Sequence, residues 1–379
     1  MGMVGGGRDA FIGAVHRMAA GIDGQIELVC GAFSSNPKKS KLSGKDLFLD
    51  SARVYDSYLE MFKAEALLPE GERMDFVSIV TPNHMHYPVA MAALNAGFHV
   101  VCDKPLCMTL SQAKLLEKKV RSTKLLFCLT HNYTGYPMVK EARDLVSGGK
   151  MGKVRRVVVE YPQGWLANNL EKTGQKQAGW RTDPKMAGAS CCMGDIGTHC
   201  ENLAEYITGS RITEMCAELN TFVSGRKLDD DGSVLLRFKN GARGILWASQ
   251  IAVGQENALN IRVYCEKGGL EWHQQEPNTL IVDWIDKPRE IRRTSTPFVG
   301  NNAAASARIP AGHPEGYLEA FGNIYKNFAI ALDKRLSGKP VKEADCDYPQ
   351  VEDGVRGMAF LEAVVKSNKS KQKWVKLSV

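Results

Sequence analysis

The sequence predicts an α/β fold, with a doubly wound parallel sheet in the N-terminal half and then an α+β domain built on a mostly antiparallel sheet. Three observations carry this. Short apolar runs alternate with helical patterns through residue 132, the mark of successive strand–helix–strand units. A glycine cluster, Gly5-Gly6-Gly7, stands between the first strand-like run and the first helical pattern. Beyond Tyr133 the strands follow one another more directly, and Asn240-Gly241 separates two of them, a strong hairpin signal.

Composition sets the frame. A chain of 379 residues, 44% hydrophobic and 24% charged, has material for two domains. Its net charge of +7 is spread along the chain without an arginine-rich run. That argues against nucleic acid as a partner and suits an anionic cofactor. Ten cysteines stand at irregular spacings, several inside apolar runs, among them Cys30, Cys102 and Cys128, as reduced core thiols do. The first residues lack a signal-peptide pattern and no stretch is apolar for long enough to span a membrane, so a soluble, cytoplasmic protein is expected.

Met3-Val4 enters the glycine cluster, and Gly13 follows within Ala10-Phe11-Ile12-Gly13. Such a loop lets the backbone approach a pyrophosphate lying on a helix N-terminus. Ala10 takes the third-glycine position of G-x-G-x-x-G. Gly13 is expected to seat the helix on the sheet and Gly21 to cap it. The second strand is read as Ile26–Phe33, ending in Ser34-Ser35-Asn36 with Lys38 and Lys39 behind. An acidic residue often holds the adenosine ribose here. Serines and lysines leave a 2′-phosphate admissible. They also read simply as a solvated loop.

Arg53-Val54-Tyr55 is a faint third strand, and Asp75–Val80 is the next clear one. Thr81-Pro82-Asn83-His84-Met85-His86 then reads as a polar loop beside a cofactor, with Pro88 in the first turn of the following helix and Gly97 at its end. His84 and His86 lack further ligands at suitable spacing, so no metal is assigned. His99–Cys102 is a buried strand stopped by Asp103-Lys104-Pro105. Ligands of open α/β sheets bind at the carboxyl ends of the strands. Lys104 is either a solvated charge there or a group aimed at substrate. Thr109-Leu110-Ser111-Gln112 forms a capping box opening a helix through Arg121, and Leu125–Thr130 is a further strand with His131-Asn132-Tyr133 at its carboxyl end.

In the second half, a helix over Val139–Val146 leads through Gly148-Gly149 to a strand, Val154–Tyr161. Ser233–Phe238 and Arg243–Trp247 flank the hairpin turn, and runs near 259–265 and 279–285 look similar. The open face of this sheet is a candidate subunit interface. Gly194-Asp195-Ile196-Gly197-Thr198-His199 opens a helix reaching Gly209. Asp195 and His199, four apart, share one face near its N-terminus, where the dipole favours a carboxylate and a neutral imidazole. Such a histidine accepts a proton from a hydroxyl. A capping aspartate followed by a structural histidine gives the same spacing. Cys191-Cys192 and His199-Cys200 constrain metal geometry poorly and read as packing thiols. The lysine-rich tail, Lys366–Lys373, reads as a solvated segment.

The glycine loop, Thr81-Pro82-Asn83-His84, Asp103-Lys104-Pro105 and Asp195-x-x-x-His199 occur in one order over the chain. Together they resemble the Gfo/Idh/MocA family of NAD(P)-dependent sugar and cyclitol oxidoreductases. The resemblance runs from Met3 to the helix near 350–366. It implies a Rossmann domain over 1–132 and a substrate and oligomerisation domain over 133–379. It also implies a catalytic group of Lys104, Asp195 and His199. Asp103 replaces the glutamate common in that family, and this leaves the lysine in place. Cofactor contacts are implied for Gly5, Gly7, Phe11, Ile12, Ser34, Ser35, Lys39, Thr81, Pro82, Asn83, His86, Asp103 and Lys104.

Gln163-Gly164-Trp165, Gly179-Trp180-Arg181 and Gly312-His313-Pro314-Glu315-Gly316-Tyr317 resemble a levoglucosan-dehydrogenase-like branch. Tryptophans beside polar groups suit a sugar, whose C–H face packs on an aromatic ring while its hydroxyls need donors and acceptors. Trp165 and Trp180 serve equally as core or interface residues. Substrate contacts are expected from Tyr133, Gln163, Trp165, Trp180, Arg181, Asp195, His199 and His313. The implied activity is hydride transfer between NAD or NADP and a hydroxyl of a sugar, sugar derivative or cyclitol bound between the domains, in a homodimer or homotetramer. Sequence leaves open whether His199 or Lys104 is the base. Two other readings remain, a redox-neutral glycosidase or epimerase working through a transient keto-sugar and, more distantly, a non-catalytic nucleotide-binding sensor.

Overall fold

The computed structural model describes residues 1–8 and 10–379. They form two compact units, Met1–His131 with Phe321–Val355, and Asn132–Ala320 with Arg356–Val379. A single boundary after residue 132 misses the return of Phe321–Val355 to the first unit. That return is a packing effect: Phe76 on the sheet packs against Tyr325, tilted, and Phe328, edge-on, at 6.5 and 5.1 Å between ring centroids.

The first unit holds a five-stranded sheet in the order β2-β1-β3-β4-β5, with every pairing parallel. The strands are β1 (Gly2–Gly5), β2 (Cys30–Ala32), β3 (Phe76–Val80), β4 (His99–Cys102) and β5 (Phe127–Leu129). Between them lie α1 (Phe11–Gly21), α2 (Pro37–Asp46), α3 (Tyr58–Glu65), α4 (Asn83–Asn95) and α5 (Leu110–Thr123). The chain leaves β1 to one side and returns on the other at β3, so the switch point lies between β1 and β3, where such sheets bind ligands.

Several local expectations need correction. The second strand is three residues rather than eight, because β1 offers partners only to Cys30, Gly31 and Ala32. Arg53-Val54-Tyr55 is not a strand. Val54 makes a single parallel bridge to Gly31, after a turn at Ser51–Arg53 capped by Asp50. Lys104 therefore follows the fourth strand. The polar stretch after β3 is helical from Asn83 onward, and Pro88 lies inside α4 rather than in its first turn. Gly21 is the last helical residue of α1, and the left-handed residue is Gly24, at φ 66°. Thr109 caps α5 as expected, accepting from Gln112 N at 3.3 Å, while the Gln112 side chain reaches back to Met108 N at 3.2 Å.

Two buried histidines make this unit acid-sensitive. His99 Nδ1 accepts from Leu126 N at 2.8 Å, and burial with Arg335 pushes its pKa down to about 4. Burial and then the Lys104 amine push His131 down to about 3. Both folded values lie below the ordinary ~6.5. The stability they confer is complete above that pH and is lost as pH falls from there toward 4 and 3. The thermal midpoint is expected to fall over this range, and less steeply in His99→Asn, which keeps the acceptor but cannot titrate. Parallel curves for the two proteins would contradict the His99 contribution.

The second unit carries a nine-stranded sheet in the order β13-β12-β11-β10-β6-β9-β8-β7-β14. Its strands are β6 (Val154–Pro162), β7 (Ile212–Asn220), β8 (Asp231–Phe238), β9 (Arg243–Ser249), β10 (Asn260–Cys265), β11 (Gly268–His273), β12 (Thr279–Trp284), β13 (Glu290–Arg293) and β14 (Trp374–Lys376). Only the β6–β9 pairing is parallel. Gly241, at φ 91°, turns β8 into β9, as the Asn-Gly pair requires. One helix, α6 (Pro137–Ser147), packs on β11 and β12, and a second, Thr198–Thr208, packs on β6 and β9.

The lysine-rich tail, 366–373, is mostly exposed, as expected, but it is anchored at Ser367. The last helix runs to Lys369, and Ser367 is fully buried, accepting from Ala217 N at 2.8 Å and donating to Lys373 O. β14 then pairs with β7, and Trp374 lies under the Arg237 guanidinium at 3.8 Å. The lysines are exposed, but the residues between them anchor the sheet edge. Among the described residues, no helix is long and apolar enough to cross a membrane.

Candidate active site

At the end of β1, Gly5 and Gly6 adopt φ of 83° and 70°. A Cβ on Gly5 would lie 2.9 Å from Val80 O, and one on Gly7 2.8 Å from Phe33 O. Only glycine passes through this cradle. Gly13 packs α1 onto Gly6 rather than onto the sheet, since a Cβ there would overlap the Gly6 Cα and carbonyl oxygen. Ala10 gives α1 no side-chain cap, and its first turn has no acidic residue. Arg17 Nη1 steadies the loop through Gly6 O at 2.7 Å. The Thr81 hydroxyl, at the end of β3, is buried without a partner among the described residues. Uncapped helix N–H groups, a side-chain-free cradle and an orphan hydroxyl fit the pyrophosphate side of a dinucleotide.

Phe11 is exposed, Ile12 is half-buried, and Ser35 and Lys39 are exposed. Ser34 accepts from Asn36 N at 3.1 Å, and Asn36 caps α2 by accepting from Lys39 N at 3.3 Å. Asn83 opens α4, preceded by Pro82 as its cap residue. The His86 ring faces inward. It is buried, with Nδ1 2.7 Å from Pro105 O and Nε2 2.8 Å from Thr81 O. Its ring thus ties the end of β3 to the turn after Lys104. Burial pushes its pKa down, against the opposing pull of Asp103 and the two carbonyls.

Asp103 likewise turns into the protein. Its Oδ1 accepts from Lys104 N and Thr130 Oγ1, each at 2.9 Å, and lies 3.8 Å from His16 Nε2. Burial pushes this carboxyl up, but the His16 hydrogen bond and electrostatic pull, with that of Lys104 behind it, outweigh it and hold Asp103 well below the usual carboxylate range. His16 Nδ1 is 2.7 Å from the Tyr325 hydroxyl, itself 2.7 Å from Ser78 Oγ. The Lys104–Pro105 peptide is cis. Sequence reasoning missed His16, Ser78, Thr130 and Tyr325. A polar residue three after Gly13 on the buried stripe of α1 was a usable signal for His16, but nothing local marks Tyr325 as its partner.

In the second unit, Asp195 lies in a wide π turn, Met193–Gly197, that runs directly into the helix Thr198–Thr208. The plain α-helical start expected at Gly194 is corrected to this turn, a form often found at functional sites. Asp195 Oδ2 accepts from Arg181 Nε at 3.0 Å and from Gln250 Nε2 at 2.9 Å. The Arg181 guanidinium lies 4.2 Å from the Trp180 ring and 5.8 Å from Trp165. Trp165 Nε1 donates to Gln163 Oε1 at 3.0 Å, and Gln163 Nε2 donates to Asn257 Oδ1 at 2.6 Å. Tyr161 donates to the same oxygen at 2.7 Å and shares a short hydrogen bond with Tyr133. His199 is buried edge-on to Tyr133, 4.7 Å between centroids. Burial pushes the Tyr133 phenol up to about 12, so it stays protonated as a donor.

Tyr133, Gln163, Trp165, Trp180, Arg181, Asp195 and His199 thus form connected contacts, joined by Tyr161, Gln250 and Asn257. Gln250 directly follows β9 and Tyr161 lies in β6, so strand-end position was a signal for both. Asn257, in an irregular loop, offered none. His313 stands outside this set. It is exposed, its Nδ1 is 3.2 Å from Pro310 O, and it lines a hollow with Asn278, Arg293, Thr294, Gly312 and Pro314.

Residues 1–133 match the oxidoreductase family with an NAD-binding Rossmann fold, and residues 139–271 match the GFO/IDH/MocA C-terminal domain. The chain is 32% identical to the uncharacterized oxidoreductase YfiI of Bacillus subtilis (strain 168), over 98% of this chain and 95% of that one. It is 26% identical to the levoglucosan dehydrogenase of Pseudarthrobacter phenanthrenivorans, over 79% of each. Among solved structures it is similar to an inositol dehydrogenase homolog from Azotobacter vinelandii complexed with NAD+, with a TM-score of 0.93 and 35% identity over 99% of this chain and 96% of that one. The same homolog complexed with NADH and myo-inositol gives a TM-score of 0.91 and 34% identity, over 99% and 96%. With its glycine cradle at β1 and these matches along nearly its whole length, the chain belongs to the Gfo/Idh/MocA family of oxidoreductases, and its first unit contains that family's NAD-binding Rossmann fold.

Proposed function

We propose that this protein is a dehydrogenase that moves hydride between NAD or NADP and a CH–OH carbon of a sugar, sugar derivative or cyclitol. The observation that carries the reading is the chemistry around His199. An imidazole and a clamped carboxylate are linked to Trp165, Trp180, Tyr133 and Tyr161 on one hand and to Gln163, Asn257 and Arg181 on the other. Rings for C–H faces beside donors and acceptors for hydroxyls suit a polyol. The relatives that act on or bind levoglucosan and myo-inositol support the same class.

When bound, the nicotinamide cofactor supplies the hydride acceptor or donor. His199 takes the proton of the reacting hydroxyl, Lys104 donates a hydrogen bond to that oxygen as negative charge develops, and Asp195 orients substrate and base. Bonds to Arg181 and Gln250 fix Asp195 Oδ2. Ser34, Ser35 and Lys39 take the adenosine ribose, and Asp103 and His86 hold the Lys104 turn. Exposed apolar residues of the second sheet, among them Leu235, Ile245 and Tyr264, pair copies of the chain as a homodimer or homotetramer.

The test is product analysis over a panel of pyranoses and cyclitols, with NAD+ and NADP+ in separate reactions. The expected result is a keto product in equal amount to reduced cofactor. Altered sugar without reduced cofactor would replace this reading with the redox-neutral one. Cofactor binding with no product from any member would leave a substrate outside the panel or the sensor.

A further inference from the structure

The helix bearing Asp195 and His199 begins at Cys192, and the first amides of any helix have no carbonyl one turn behind them. Here they have partners from elsewhere. Cys191 N donates to Asp229 Oδ1 at 3.0 Å, Cys192 N to the Asp229 carbonyl at 3.1 Å, and Met193 N to Asp229 Oδ2 at 2.9 Å. Gly194 N donates to Ser190 Oγ at 3.1 Å, and that hydroxyl donates to Asp229 Oδ2 at 2.9 Å. Asp195 N is the first of this run to reach a carbonyl within it, Cys191 O at 2.8 Å. Asp229 and Ser190 are 6% and 4% exposed.

Asp229 is the first of three consecutive aspartates, each engaged differently. Asp230 accepts from Phe222 N and Val223 N, and Asp231 accepts from Trp247 Nε1. The Asp230 carbonyl accepts from Gln250 N at 2.9 Å, and Gln250 is the second donor on Asp195 Oδ2. One short segment therefore reaches Asp195 by two routes, through the backbone of the π turn and through Gln250.

From this geometry we infer that Asp229 is a positioning residue for the reaction, fixing the π turn so that Asp195 meets Arg181 and Gln250 and His199 is held against Tyr133. The inference rests on the reading of Asp195 and His199 as the reacting pair. Asp229 also takes the place at the helix start that the sequence reading gave to Asp195, with its carboxylate on the positive end of the dipole.

Asp229→Asn keeps the size but sets an amide donor against donors. Ser190→Ala is the gentler variant, losing only the Gly194 acceptor and one bond to Asp229. With the substrate found in the product survey, kcat of Asp229→Asn is expected to fall on the order of 10²-fold, the usual effect of ~1 Å misplacement. Substrate KM is expected to move less, and NAD+ affinity, a property of the first unit, to stay unchanged. Ser190→Ala is expected to lose less kcat in the same pattern. Amide hydrogen exchange over 190–199 is expected to speed up in both. His199→Asn is run beside them. If it loses turnover while Asp229→Asn and Ser190→Ala keep wild-type kcat and exchange, the Asp229 role alone is overturned. Equal losses of kcat and NAD+ binding in Asp229→Asn and Ser190→Ala would show a general folding role and overturn it as well. Wild-type turnover in His199→Asn would bring down the underlying reading together with the inference.

Discussion

Lys104→Ala is expected to lower turnover by on the order of 10²- to 10³-fold, the usual cost of removing a donor to a developing oxyanion, with NAD+ affinity nearly unchanged. The backbone argues for this separation. Lys104 N is fixed by Asp103 Oδ1, and Asp103 by Thr130 and His16, so the turn survives loss of the side chain. His131 is held neutral beside Lys104 and cannot replace its charge. Steady-state kcat and cofactor titration on the same preparation check the result. Turnover near wild type would remove Lys104 from the chemistry.

The second large effect is expected at His199. His199→Asn removes the proton acceptor, which typically costs about 10²- to 10⁴-fold. The loss is expected in kcat more than in KM. In the oxidation direction, wild-type kcat/KM is expected to fall on the acid side, as it does for any reaction that needs a general base in its unprotonated form. The asparagine variant is expected to lack that limb and to recover part of its rate at alkaline pH, where solvent base replaces the side chain. A variant profile with the wild-type acid limb would assign the base elsewhere.

Much of the fold was legible because it is written locally. Alternating runs through residue 132 mark the parallel sheet, Asn240-Gly241 closes β8 on β9, and Thr109 caps α5. What escaped depends on partners distant in sequence. β2 is cut to Cys30–Ala32 by the length of β1, a property of another strand. Phe321–Val355 joins the first unit because Tyr325 and Phe328 find Phe76, and periodicity records which face is buried, not what buries it. The site divides the same way. Spacing marks Asp195 and His199, and the place after a buried strand marks Lys104, only as candidates, and it is the resemblance that joins the three into one group. Asp229 lies more than 30 residues beyond the turn it caps, inside an acidic run that reads as solvent-exposed. His86 and Asp103, for which the resemblance implies cofactor contacts, are each turned inward by neighbours that converge only in the fold. His313, drawn in by its motif, lines a hollow with Asn278 and Arg293 and, among the described residues, shares no hydrogen bond with the Asp195 and His199 set.

The most direct test follows deuterium. Pyranoses and cyclitols labelled at their carbinol carbons are incubated with the wild-type protein and NAD+ or NADP+, and the cofactor is analysed by mass spectrometry and NMR. The expected result is one deuterium per turnover at C4 of the reduced nicotinamide and a ketone where it left the substrate, with both formed far more slowly in Lys104→Ala and His199→Asn. Label released to water, or retained in an altered sugar while the cofactor stays oxidised, would contradict a net hydride transfer.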